Sequence, residues 1–281
     1  MRSGRGWSLL VPAVLLLVIG FVVPVGMLVP SSVHRYVPLV GITSEFTLAY
    51  YVRLVTDSYY LEIVGRTLAL GAVVTLATLV IGYPVAFFLA RTRSRWRNWL
   101  TILVVFPLLL NLVVRTFGWI ALLAQNGLVN QALQVLGLVH SPVKLLFNFA
   151  GLLIGLTHIF LPFMVLVLIG AIQNIPREVE DAARVLGASW GSAFLRVTLP
   201  LSTPGVVSGS ILVFVLTISA LVTPRLLGGP TYQVMSTLIY DEFLQRLNWP
   251  AGSAQALALT VMVLALVFVS GLLGRRAGAR A

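Results

Sequence analysis

Residues 149–201 read FAGLLIGLTHIFLPFMVLVLIGAIQNIPREVEDAARVLGASWGSAFLRVTLPL, an uncharged apolar run that passes into a charged, patterned one. A bilayer core is about 30 Å thick, so about 20 apolar residues in a helix cross it. Segment 149–172 meets that length. Lipid offers backbone groups no partner outside their own segment, so such a run has to be helical. Five more segments qualify: 9–29, 67–90, 100–124, 204–222 and 254–273.

The composition agrees. Of 281 residues 59% are hydrophobic and only 10% charged, against about 25% charged in an average soluble domain. Nineteen basic and eight acidic residues are too few to cover a soluble surface. A soluble enzyme and a disordered chain are both excluded. The expectation is one all-α polytopic membrane domain over 1–281, with six transmembrane helices. Arg2 and Arg5 precede the first run, as in a signal peptide. That run exceeds the usual apolar region of about 7–15 residues, and no small-x-small cleavage site closes it. It is read as an anchored first helix.

The net charge is +11. Basic residues gather in cytoplasmic loops of membrane proteins, which accounts for the charge without nucleic acid. With the N-terminus inside, the inner segments hold Arg2, Arg5, Arg91, Arg93, Arg95, Arg97, Arg177, Arg184, Arg196, Arg275, Arg276 and Arg280. The outer segments hold Arg35, Arg53, Arg66, Lys144, Arg225 and Arg246, and Arg115 lies within a span. That bias of about two to one places both termini in the cytoplasm. There is no cysteine, so thiolate chemistry and disulfides are absent. His34, His140 and His158 fit no metal-ligand spacing, and Lys144, the only lysine, follows Val143, so no phosphate-binding loop exists.

The inner segment 173–201 is too long and too patterned for a simple link. Pro176 suits a first helical turn. Glu178, Glu180 and Asp181 stand where the helix dipole favours negative charge. Gly187 can close the helix in a left-handed conformation, Ser189 can cap a second helix over 190–197, and Pro200 ends that run. A hairpin of this kind either inserts apolar knobs into a groove of another protein or lies along the membrane surface.

Within it, Asp181-Ala182-Ala183, three residues, Gly187, nine residues, then Val197-x-Leu199-Pro200 resembles the coupling signature of ABC-importer permeases, usually written E-A-A, three, G, nine, I-x-L-P. Asp181 stands for Glu and Val197 for Ile. The segments Gly82-Tyr83-Pro84-Val85-Ala86, Leu89-Ala90-Arg91, Arg115-Thr116-Phe117-Gly118-Trp119, Leu161-Pro162-Phe163-Met164 and Val222-Thr223-Pro224-Arg225 are similar to landmarks of the spermidine/putrescine subclass. The family often carries an acid where Arg225 stands.

The resemblance implies the first of two permeases, half of a translocation pathway in a bacterial inner membrane. It implies a second homologous permease, two ATPase subunits that bind ATP and Mg, and a periplasmic solute-binding protein, with membrane lipid around the spans. No cofactor is implied in this chain. The solute implied is a polyamine; another amine, a zwitterion or a phosphonate uses the same machinery.

For the pathway itself the expected residues are Asn111, Arg115, Ser210, Thr217 and Thr223. Arg115 lies about 22 Å along a helix begun at Leu100, and either pairs, snorkels or gates. His158 is read as a helix–helix hydrogen bonder, and Gly205 and Gly209 as a close-packing pair, with the partner permease a candidate neighbour. A stand-alone secondary transporter would need its own ion relay, and an intramembrane enzyme a catalytic set; the spans offer neither.

Overall fold

The computed structural model describes residues 4–278, with side chains over 11–271. Arg2 and Arg280 lie outside the described residues, as do the side chains of Arg5, Arg275 and Arg276. Helix α1 (Gly4–Leu17) runs through a π-helical turn at Val18–Val22 into α2 (Val23–Ser32). A β-hairpin follows, β1 (His34–Val37) and β2 (Gly41–Phe46), antiparallel with Tyr36 opposite Ile42. This hairpin departs from the all-helical expectation. Helices α3 (Ala49–Thr56) and α4 (Ser58–Arg91) come next.

The expected third span, 100–124, is divided into α5 (Arg97–Leu109) and α6 (Leu112–Leu123). Pro107 has no N–H to continue the ladder, and Leu110 turns extended. Asn111 then caps α6, its Oδ1 accepting from the N–H groups of Val113 at 2.8 Å and Val114 at 3.4 Å. A depth for Arg115 counted along one straight rod therefore does not apply. After α7 (Leu128–Val135), α8 (Phe149–Gln173) matches the predicted fourth span closely.

Helix α9 (Arg177–Val185) and α10 (Trp190–Ala193) form the helical hairpin expected within 173–201. The run does not stop at Pro200. A π turn at Phe194–Thr198 leads into α11 (Leu199–Leu201), and the whole segment bends by 62° into α12 (Thr203–Ser219). The wide turn, closed by the Leu199 N–H on the Phe194 carbonyl, relieves the crowding a proline ring causes with the carbonyl four residues back. A further π turn at Pro224–Gly228 precedes α13 (Met235–Leu244) and α14 (Trp249–Gly278). Among the described residues five helical stretches are long and apolar enough to cross a membrane, or six if Trp190–Leu201 and Thr203–Ser219 form one bent crossing. One of the five, Leu112–Val135, joins α6 and α7 and so departs from the expected span 100–124, leaving Arg97–Leu109 as a shorter apolar helix.

The chain is organised as two compact units, one built from the chain up to Glu62 and from Met235–Met262, the other from Ile63–Val234 and from Val263 onward. In the first, the helix over Val11–Ser32 buries none of its most apolar stretch, Ser32 at its end being its one buried residue. A helix apolar on all sides and covered by none of the described chain belongs among lipid tails or other subunits. In the second unit α8 is the central helix, with Leu152, Leu156, Met164, Val165 and Leu168 fully buried alongside Val74 of α4 and Val213 of α12.

The glycine pair on α12 does permit close packing, but its neighbour is α8 of the same chain, not a partner subunit. A Cβ on Gly205 would stand 2.1 Å from the Ala171 Cβ, and one on Gly209 2.9 Å from the Met164 sulfur. Gly205→Ala is expected to destabilise this contact by about 1–3 kcal/mol through overpacking. Ala171→Gly in the same chain should recover part of the loss. Thermal unfolding in detergent checks both, and an unchanged midpoint in the single variant would show that α12 can step off α8.

Candidate functional site: the inner hairpin and a polar cluster between helices

Helix α9 has acids in its first turn and Arg184 in its last, the charge order its dipole favours. It ends in a Schellman motif: Gly187 N–H donates to the Arg184 carbonyl at 2.9 Å and Ala188 N–H to the Ala183 carbonyl at 3.0 Å, with Gly187 at φ +91°. Ser189 caps the next helix, its Oγ accepting from the Ser192 N–H at 3.3 Å. These local bonds make the hairpin. They leave Val185 and Leu186 each 88% exposed at its tip, beside exposed Trp190 and Leu195. Asp181, Ala182 and Gly187 are exposed and Ala183 and Val197 half-buried; Leu199 and Pro200 lie exposed on the second arm.

A second layer, not foreseen from the sequence, holds the hairpin to the end of α4. Arg91 donates to the Glu180 carboxylate at 2.6 Å and to the Ile175 carbonyl at 3.1 Å. The Glu180 oxygen also accepts from the Thr198 hydroxyl at 2.9 Å, so one carboxylate bridges both arms. Arg177 returns a bond to the Arg91 carbonyl at 2.9 Å. The Arg91–Glu180 pair is largely buried, at 13% and 18% side-chain exposure.

One turn and two turns earlier on α4, Phe87 meets Trp190 and Phe194 edge-on, and Tyr83 meets Phe194 edge-on at 5.7 Å between ring centres. The Tyr83 hydroxyl bonds Ser202 Oγ at 2.7 Å, just past Pro200. The signal was present in Gly82-Tyr83 and Leu89-Ala90-Arg91. Glu180 was visible only as one of three acids near a helix start.

The expected pathway residues are placed differently from one another. Asn111 is engaged as the α6 cap. Thr217 is buried and donates to the Val213 carbonyl at 2.7 Å. Thr223 lies 3.4 Å from Thr116, oxygen to oxygen. Ser210 lines an apolar groove of about 550 Å³ in the second unit, between α4, α12 and α14. His158 on α8 accepts at Nδ1 from the Trp119 indole N–H of α6 at 3.1 Å, which puts its own proton on Nε2. Arg115, on the same helix as Trp119, has buried Nε and Nη1 atoms without a hydrogen-bond partner among the described residues.

The described residues thus join an apolar multi-helix scaffold to a hairpin that is clamped at its base and apolar at its tip. Residues 79–280 match the family described as binding-protein-dependent transport system inner membrane component, and the chain belongs to that family. It is a multi-pass inner-membrane permease of the ABC-importer class. It is 36% identical over 210 residues to the Haemophilus influenzae protein named spermidine/putrescine transport system permease protein PotB, covering 75% of this chain and 73% of that one. The Escherichia coli protein of the same name is 35% identical over 218 residues, covering 78% and 79%. The fold is also that of a chain in a crystal structure of a bacterial ABC transporter for alginate, with a TM-score of 0.78 at 21% identity over 98% of this chain and 96% of that one.

Proposed function

We propose that this permease forms half of the path by which a small solute, a polyamine of the spermidine/putrescine kind, is imported at the cost of ATP hydrolysed in other subunits. The names of the relatives support the solute. The observation that carries the mechanism is the Gly187 hairpin, apolar at its tip and clamped at its base by Arg91 and Glu180. The exposed Val185 and Leu186 side chains enter a groove on an ATPase subunit, as apolar helix knobs do. That subunit binds ATP and Mg. A second, homologous permease supplies the other half of the path, and a periplasmic binding protein delivers the solute.

In this reading the chain crosses the membrane six times, with α5 and α6 in series as the third crossing and the bent Trp190–Ser219 segment containing the fifth. Both termini and the hairpin are cytoplasmic, as the basic residues favour. ATP-driven closure of the ATPase pair moves the hairpins together, and the helices rock around a fixed path. Arg115 favours a second solute reading: buried guanidinium nitrogens without a partner suit a carboxylate, so a zwitterion fits them better than a polyamine does. Uptake of labelled putrescine set against labelled amino acids separates the two.

The natural chain has no cysteine, so single-cysteine variants are clean probes. Leu186→Cys is expected to react with a membrane-impermeant maleimide in inside-out vesicles and not in intact cells. Bound ATPase subunits should shield it, while Leu39→Cys on the β-hairpin should show the reverse sidedness. Labelling of Leu186→Cys from outside the cell would end this account.

A further inference from the structure

The first unit contains a cleft of about 600 Å³ beside the β-hairpin. Arg35 and Tyr36 of β1, Glu45 of β2, Tyr50 and Arg53 of α3, and Arg246 from the turn after α13 contribute to its walls. Those walls are tied to one another. The Tyr36 N–H donates to the Tyr50 hydroxyl at 3.0 Å, and the Tyr36 hydroxyl reaches the Arg246 carbonyl at 3.5 Å. Arg35 pairs with Glu45 at 2.9 Å.

Three guanidinium groups thus line one cleft with a single carboxylate, Glu45, among the lining residues. Arg246 uses one nitrogen on Glu242 at 2.8 Å and is otherwise more than half exposed. Arg53 has no carboxylate within ion-pair distance among the described residues. In the topology proposed above, on which this inference rests, the outer side is where basic residues are scarce, yet half of the six outer basic residues stand here. Arg35 and Arg53 precede residue 79, where the family match begins.

In that topology the setting is the edge of the apolar layer. The cleft is built on the chain between the end of α2 and the start of α4, both of which belong to candidate membrane crossings. Val52 and Val55 of helix α3, with Leu48 at its cap, form an exposed apolar stripe at spacings of four and three residues. Its next face carries Ala49, Tyr50 and Arg53 toward the cleft. An apolar stripe beside a cationic face is the pattern of a helix lying in the interface, its apolar side among acyl chains.

We propose that this cleft binds the headgroup phosphate of an anionic phospholipid, with Arg35, Arg53 and Arg246 donating to its oxygens and the acyl chains passing along Val52 and Val55. Guanidinium forks match phosphate in geometry and charge. A polyamine finds there no lining carboxylate that is not already paired with an arginine. A carboxylate of a docking protein would meet the arginines but leave the apolar stripe uncovered.

The test uses the full chain, extracted with its co-expressed subunits and followed by native mass spectrometry. The probes are phosphatidylglycerol, phosphatidylcholine and inorganic phosphate. Wild type is expected to retain phosphatidylglycerol in clear preference to phosphatidylcholine. Arg35→Gln and Arg53→Gln should each lower that retention about fivefold. Arg246→Gln strips Glu242 of its partner and can disturb folding, so the Arg35→Gln/Arg53→Gln double variant decides. Its lipid-free melting point should equal that of wild type. Undiminished phosphatidylglycerol retention in the double variant overturns the proposal, and so does equal retention of the two lipids by wild type. Displacement of the lipid by millimolar phosphate would make this a soluble-anion site instead. Loss of response to a binding protein with lipid retention intact would make it a protein docking surface, which equally overturns it.

Discussion

Replacing Gly187 with valine is expected to abolish solute uptake and to weaken recovery of the ATPase subunit with the permease. The cause is the backbone alone. Gly187 sits at φ +91°, and nothing lies within 4 Å of where a Cβ would be, so a side chain there meets no neighbour. It meets its own main chain, and a β-branched residue meets it worst. Backbone strain of this kind costs on the order of 1–3 kcal/mol. The tip relieves it by opening the two bonds that end α9, from Gly187 N–H to Arg184 and from Ala188 N–H to Ala183. Val185 and Leu186 then lose their fixed aim. Gly187→Asn, which tolerates left-handed backbone better, should keep a substantial share of transport, with Gly187→Ala between. Full uptake and full ATPase recovery in Gly187→Val would show that the tip geometry does not matter.

Arg91→Gln is expected to have an effect of similar size for a different reason. Arg91 and Glu180 are both largely buried, and removing one member of such a pair leaves an uncompensated charge, at a cost of up to about 3–5 kcal/mol. Glu180 also receives the Thr198 hydroxyl, so the orphaned carboxylate would loosen both arms together. Glu180→Gln alone should resemble Arg91→Gln. The double variant, with no charge left to bury, should recover part of the melting temperature and part of the transport. That non-additivity, measured as a double-mutant cycle, separates a clamp from two unrelated surface positions; strictly additive losses would dismiss the clamp.

How much of this was readable in advance depends on the range over which each feature is determined. The apolar runs and the hairpin caps are local: Gly187 and Ser189 each act on a neighbouring turn and stand where their chemistry directs, while Pro176 stands at the N-cap, one residue ahead of the first turn expected for it. The break at Leu110 and Asn111 is also local, but in a long apolar stretch the length signal outweighed Pro107 and the capping chemistry of Asn111. The β-hairpin lies in an aromatic-rich segment where membrane-interface residues and strand formers have the same composition.

The Arg91–Glu180 clamp joins residues 89 positions apart. The acids of α9 already had a sufficient local explanation in the helix dipole, so nothing in their spacing selected Glu180. The Gly205 contact is similar: the pattern announced a close neighbour, but only tertiary structure could say that it is Ala171.

The absence of a loop between the second arm and α12 has a mechanical consequence. Residues 190–219 form a helical path interrupted only by a bend at Ser202, where Tyr83 holds the hydroxyl. No slack chain is available there to absorb a push, so under the proposed coupling a tilt applied at Trp190 is expected to reappear as rotation of α12 about that bend. Because α12 is seated on Ala171 and Met164 through two glycines, the motion passes to α8 as well. In the coupling proposed above, the segment would act as a crank with its elbow held to α4 by the Tyr83–Ser202 bond.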